Sequence, residues 1–166
     1  VRLAGGPVRK GNVMTPARPH KIPESVLVVI HTPALDVLLI ERADKPGYWQ
    51  SVTGSKDRLD EPFDQTCTRE VAEETGIVIG SAAVPRSALR DWGLQNVYEI
   101  YPVWRHRYAP GVTHNTEHVF GLRLPESLPV ERRAPFRWKA ASPLGALHLL
   151  RSNRILAGLS LANFFG

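Results

Sequence analysis

With 166 residues and a mass of 18.5 kDa, the chain is the size of one ordinary domain, long enough to bury a real core. A single cysteine excludes an internal disulfide, no stretch is long and apolar enough to span a bilayer, and the N-terminal end lacks the apolar run of a secretory signal, so a soluble, cytoplasmic protein is expected. The net charge of +5, with arginines scattered between loops and strands, favours polyanions, a triphosphate as readily as RNA. Residues 1–20 are rich in Gly, Pro, Arg and Lys without periodicity and read as a disordered leader, with the folded domain over 21–166. Residues 26–30 and 37–40 are apolar runs suited to buried strands, joined by a turn over 31–36. Residues 49–53 predict a short strand delivering Gly54 to a loop. A helix of about fourteen residues follows: Pro62 suits its first position, Asp60 or Glu61 can cap it, and Gly76 ends it. Beyond it, residues 77–79, 97–108 and 118–124 have strand-like content, and 136–138 form a shorter candidate. Ser142-Pro143 and Ser152-Asn153 look like helix starts, the second opening a terminal helix with Ile155, Leu156, Leu159, Leu161 and Phe164 available for packing. Mixed strands with two or three helices predict an α/β sandwich, and no repeats interrupt it.

The predicted helix carries the chemistry. At about 100° per residue, Phe63, Cys67 and Val71 form one apolar stripe that must face the domain. Glu70 and Glu74 fall within or beside that stripe, and Glu73 sits on its flank. Carboxylates at such spacings repel one another, and placing them near the core adds a desolvation cost that only a strong counter-charge offsets. Arg69 can pair with Glu73 one turn on, but one guanidinium cannot neutralise three carboxylates. Hard oxygen ligands of this kind suit Mg²⁺ or Mn²⁺. Cys67, on the packed face, reads as a core residue and not a nucleophile.

The segment Arg69-Glu70-Val71-Ala72-Glu73-Glu74-Thr75-Gly76-Ile77, with Glu61 upstream and Gly54 leading the loop, resembles the Nudix box. That pattern runs Gly, five residues, Glu, seven residues, then Arg-Glu-apolar-any-Glu-Glu-any-Gly-apolar. The second half matches fully, whereas six residues separate Gly54 from Glu61, so the loop carries an insertion or Asp60 takes the acid's place. The resemblance implies an α/β/α sandwich with a mixed β-sheet and metal-assisted hydrolysis of a substituted diphosphate. It implies Glu70 and Glu74 as principal metal ligands, and Glu73 as a further ligand or as the base that orients water. The resemblance also implies a main-chain carbonyl near Gly54 as another ligand. Arg69 is expected to hold the helix to the loop, and Glu61 to brace the loop.

Flanking segments narrow the resemblance. Tyr48-Trp-Gln-Ser-Val-Thr-Gly54-Ser and His106-Arg-Tyr-Ala-Pro-Gly-Val-Thr-His-Asn-Thr-Glu117 resemble the Nudix branch that acts on dihydroneopterin triphosphate. That branch implies Mg²⁺-dependent hydrolysis of 7,8-dihydroneopterin triphosphate to the monophosphate and pyrophosphate, a step toward tetrahydrofolate. The matching segments make Lys21, Arg42 and Thr53 candidates to bind substrate, with Tyr98, Glu99, Ile100 and Tyr101 lining the pterin site. An outside-box acid is expected at Glu131, within a segment resembling the branch's Glu-His-x-x-aromatic-x-Trp motif, or else at Glu117. The expected partner is a small-molecule pterin or nucleoside triphosphate, with no membrane and, in this reading, no nucleic acid. The same box would serve a dNTP or RNA 5′-end pyrophosphohydrolase. A catalytically silent Nudix module would be expected to lose box carboxylates, which this chain keeps. His106, His114 and His118 span a loop without cysteine partners, so hydrogen-bonding roles are expected in preference to zinc.

Overall fold

The computed structural model describes residues 19–41, 46–125 and, as backbone, 137–141. Arg42, Glu131, the two C-terminal helix starts and residues 1–18 of the predicted leader lie outside the described residues.

Among the described residues ten elements follow in chain order: β1 (Glu24–His31), β2 (Val37–Glu41), β3 (Trp49–Gln50), β4 (Val52–Ser55), α1 (Phe63–Thr75), a 3₁₀ turn at Arg86–Ala88, β5 (Leu89–Glu99), a second 3₁₀ turn at Pro102–Arg107, β6 (His114–Arg123) and β7 (Arg137–Ala141). They make a seven-stranded mixed sheet in which β6 runs parallel to β1 and the other pairings are antiparallel. Strand β1 is the hub: β6 lies along one edge over its whole length, while the other edge takes β4 from Ser25 to Val28 and β2 at His31.

The side-chain period of two sorts the residues of β1 onto two faces. Val26, Val28 and Ile30 face α1, where they pack with Val52, Phe120, Leu122, Cys67 and Val71 in one buried cluster. Each such aliphatic side chain contributes about 1.5–3 kcal/mol by leaving water, which seats α1 on this face. Cys67 is fully buried in that cluster, and burial raises its thiol pKa, as expected of a core residue.

The structure corrects several expected elements. The single strand predicted over 49–53 is two short strands, because the chain changes partner at Ser51, leaving β2 to pair with β1. Residues 77–79 form no strand: Ile77 and Ile79 plug the core from a loop and Val78 is exposed. The strand predicted over 97–108 instead spans Leu89–Glu99, and Pro102 opens the second 3₁₀ turn, where its fixed φ favours a turn over a sheet position. Strand β6 begins four residues before the predicted start, at His114 instead of His118. Helix α1 has no side-chain N-cap: Pro62 occupies the capping position, Asp60 pairs with Arg58, and Glu61 turns back to the loop. Gly76 ends the helix as expected, in the left-handed conformation with φ 77°, its N–H donating to the Ala72 carbonyl.

Candidate active site

Strand register brings three chain segments to one end of the sheet. Val26 lies between Gly54 on β4 and His118 on β6, and Ser25 between Ser55 and Glu117. The box loop leaves β4 at this end and returns as α1, so its carboxylates hang over the start of β1. Lys56 fastens the arrangement: its ammonium pairs with Glu24 at 2.6 Å and lies 4.0 Å from the centre of the Phe63 ring, which stacks on His118 at 3.8 Å. The sequence reading did not single out Lys56 and Glu24, which are 32 positions apart and meet only through strand pairing.

Gly54 and Glu70 meet so closely that only glycine fits. A Cβ at residue 54 would lie 1.8 Å from Glu70 Cδ and 2.0 Å from Oε1. The Glu70 carboxylate therefore rests directly on the β4 backbone. Arg69 holds it there, donating to Glu70 Oε1 at 2.7 Å and to the Ser55 carbonyl at 2.9 Å. The same guanidinium reaches Asp57 at 3.2 Å and Glu61 at 3.4 Å, with Glu73 farther off at 3.7 Å. Its main partner is thus Glu70, not the Glu73 expected from helix spacing. Glu61 accepts the Asp57 N–H at 2.7 Å, which gives it the bracing role anticipated for it. Burial pushes the Glu61 pKa up, but the Asp57 N–H and Arg69 outweigh it, and the net shift is downward. For Glu70 the balance is reversed: burial raises the pKa, Arg69 only partly opposes it, and Glu73 and Asp57 add repulsion. A divalent cation would relieve that unfavourable charge.

The residues of the box fit a divalent metal by chemistry. Glu70 and Glu74 are half-buried and Glu73 is exposed, all hard oxygen donors on one short stretch of α1 beside a main chain stripped of side-chain bulk at Gly54. Among the described residues no three acid, histidine or cysteine side chains converge as they stand.

Of the residues expected to touch substrate, Thr53 adjoins Gly54 of the box, and Lys21 is coupled to the box by charge. Its N–H donates to the Arg107 carbonyl at 2.8 Å, and it bridges to Tyr108, so the 3₁₀ turn fixes it. Burial lowers the Lys21 pKa, Arg107 lowers it further, and Glu70 opposes both, which places the ammonium within electrostatic reach of the box. Thr53 pairs with Leu27 and so belongs to the sheet face opposite α1. Tyr98 is on that face too, its hydroxyl accepting from Asn115 Nδ2 at 3.1 Å. Ile100 is buried, whereas Glu99 is exposed and pairs with Arg105, and Tyr101 is exposed against Trp104. The four residues 98–101 therefore do not share one lining.

Glu117 is also on the face away from α1, in register with Ser25 and Asn96. It is 5% exposed; burial raises its pKa, and only a 3.3 Å hydrogen bond from Asn96 opposes that. Glu70 lies over Gly54 on the α1 face, so the sheet separates it from Glu117. Asn115, 2% exposed, donates to Ser25 Oγ at 2.7 Å, and its own Oδ1 accepts no hydrogen bond. This polar cluster was missed because the strand was expected to start at His118; alternation from His114 would have put Asn115 and Glu117 on one face. The three histidines stay apart in role: His106 bonds the Val103 carbonyl, His114 bonds Thr113, and His118 stacks on Phe63.

A mixed sheet with a carboxylate-bearing helix braced by arginine over a glycine strand end defines a class, and residues 21–138 match the NUDIX domain family; the chain belongs to the Nudix family of hydrolases. Within it, the chain is 39% identical over 138 residues to the dihydroneopterin triphosphate diphosphatase of Escherichia coli K12, covering 81% of this chain and 89% of that one. The corresponding enzyme of Haemophilus influenzae is 38% identical over 125 residues, 74% of this chain and 77% of the relative. The solved structure of the E. coli dihydroneopterin triphosphate pyrophosphohydrolase superimposes with a TM-score of 0.63 at 36% identity, covering 87% of this chain and 98% of that one. A Listeria monocytogenes NUDIX protein, at 20% identity and TM-score 0.57 over 77% of this chain and 83% of that one, shares the fold.

Proposed function

We propose that this protein hydrolyses 7,8-dihydroneopterin triphosphate to dihydroneopterin monophosphate and pyrophosphate, with Mg²⁺ as its metal, as a cytoplasmic enzyme of folate synthesis acting on a small molecule and not on nucleic acid. The observation that carries the reading is the 39% identity to a dihydroneopterin triphosphate diphosphatase across most of both chains. No helix among the described residues is long and apolar enough to cross a membrane. The Nudix domain is taken to run over 21–166, beyond the 21–138 of the family match.

The bound metal would polarise phosphoryl oxygens and lower the cost of forming hydroxide. Glu70 and Glu74 would hold it, with Glu73 as a further ligand or as the base, the Gly54 carbonyl region beside them and Glu131 as the acid from outside the box. Water's oxygen bonds to a phosphorus of the anhydride between the first and second phosphates, that anhydride bond breaks, and the water proton passes to a box carboxylate. Lys21, half-buried within electrostatic reach of Glu70, binds phosphate oxygens whose negative charge grows in the transition state. Arg42 and Thr53 complete the substrate contacts, with Tyr98, of residues 98–101, on the Thr53 face toward the pterin. Arg69 keeps Glu70 against the Gly54 backbone, so that little reorganisation remains for the reacting complex.

The test compares pyrophosphate release from dihydroneopterin triphosphate with release from the four dNTPs in Mg²⁺. A preference for the pterin substrate in kcat/KM is expected; a clear preference for a dNTP would overturn the reading in favour of a nucleotide pyrophosphohydrolase.

A further inference from the structure

The face of the sheet opposite α1 holds a polar cluster that the chemistry above does not use. Asn115 and Glu117 on β6, Asn96 and Tyr98 on β5 and Ser25 on β1 share it by strand register. The amide nitrogens in the cluster are spent inside it: Asn115 Nδ2 serves both Ser25 and Tyr98, and Asn96 Nδ2 serves Glu117. The acceptors are not. Asn115 Oδ1 is buried without a hydrogen bond, and Glu117 receives only the 3.3 Å bond from Asn96, with no cation paired to it among the described residues. A buried carboxylate beside a buried amide oxygen, both short of donors, carries a substantial cost unless something brings N–H groups to it.

We propose that Glu117 and Asn115 recognise the 2-amino-4-oxopyrimidine edge of a pterin ring, whose ring N–H and exocyclic amine are two parallel donors. A carboxylate accepts such a pair side by side, as it does from a guanidinium. The proposal rests on the dihydroneopterin triphosphate reading above and assigns its specificity to residues outside 98–101. Position supports it. Glu117, Ser25 and Ser55 are neighbours on three adjacent strands, so at about 4.8 Å per strand the recognition carboxylate lies about 10 Å from the strand end that leads into the box loop. A ring held at Glu117 thus points its phosphate chain around the sheet end toward Lys21 and the box. Adenine, cytosine and thymine lack that donor pair, while guanine has it, so GTP should be the strongest competitor among the common nucleotides.

Steady-state hydrolysis of dihydroneopterin triphosphate by the full chain tests the assignment. Glu117→Gln keeps the volume but turns one acceptor into a donor facing donors, so KM should rise ~10–100-fold with kcat little changed. An unchanged KM, or a loss confined to kcat, would overturn the assignment. A second measurement needs no variant: pterin should inhibit the wild-type enzyme at least about tenfold better than 4-oxopteridine, which lacks the 2-amino group. Equal inhibition would overturn the proposal while leaving the substrate reading in place. A wild-type enzyme inert toward dihydroneopterin triphosphate would remove the substrate reading and this site with it.

Discussion

The two faces of the sheet end treat buried carboxylates in opposite ways. On the α1 face, Glu70 is clamped between a glycine backbone and Arg69, and the same guanidinium also reaches Asp57, Glu61 and the Ser55 carbonyl. On the other face, Glu117 has no cation among the described residues and one long hydrogen bond from a neutral amide. The first face is arranged before any ligand arrives, which suits chemistry that depends on fixed charges. The second keeps acceptor capacity in reserve, which suits recognition of a ring rich in donors. The roles proposed above amount to one division of labour: α1 and its loop act on phosphate, while β5 and β6 select what carries it.

That division can be broken variant by variant. Glu70→Gln or Glu74→Gln should lower kcat by ~10²–10³-fold or more, since each removes a charge from the proposed metal-binding set, with far-UV circular dichroism unchanged. Wild-type turnover by the Glu74 variant would exclude it from that set. Gly54→Ala should be nearly as severe, about 10²-fold, because its Cβ would lie 1.8 Å from Glu70 Cδ and something must move. Its loss should appear in kcat and in divalent-ion affinity, while inhibition by free pterin stays at the wild-type level. Weakened pterin inhibition in that variant would show that the faces are not separable. Arg69→Lys keeps the charge but cannot bridge Glu70, Glu61 and the Ser55 carbonyl at once, so urea denaturation should register a destabilisation of about 1–2 kcal/mol. Equal stability would mean that the fork geometry of the arginine contributes nothing.

The α1 face was legible in the sequence because its signals are local. Gly76 stops the helix, the apolar stripe of Phe63, Cys67 and Val71 orients it, and the carboxylates ride on a fixed 3.6-residue period. The other face depends on register between strands far apart in the chain. Ser25 and Asn115 are 90 positions apart, and only the parallel pairing of β1 with β6 brings their side chains together. The position of Gly54 was readable, but not the reason it must be glycine, which is the Glu70 side chain lying on it. Residues 89–96 gave little sign of a strand, since Asp91 and Gly93 look like turn residues. They form a register irregularity between Asp91 and Leu94, where Gly93 takes φ 66° and its N–H donates to Asp91.

The smallest expected effect separates the faces most directly, because it inverts the usual penalty of a substitution. Burial raises the Glu117 pKa above the ordinary 4.5, opposed only by Asn96. Ser25 and Asn115, which also face it, carry no charge, and Tyr98, pushed up to about 12 by burial and then by Glu117 itself, stays neutral over the acid and neutral range. Well below pH 4.5 the Glu117 carboxyl is protonated in both folded and unfolded chains, and the folded state keeps its full contribution. As pH rises past 4.5 the unfolded chain releases its proton first, and stability is lost until the folded carboxyl has ionised as well. Glu117→Gln removes this loss while keeping an oxygen for Asn96. Without ligand, its Tm should match wild type near pH 4 and exceed it by about 2–4 °C at pH 8, the response to ~1 kcal/mol in a domain of this size. Adding a pterin ligand at pH 8 should reverse the order, since only the wild-type carboxylate gains donors from it. A Tm difference that does not change with pH, or one that favours wild type without ligand, would show that Glu117 is as well satisfied on its face as Glu70 is on the other.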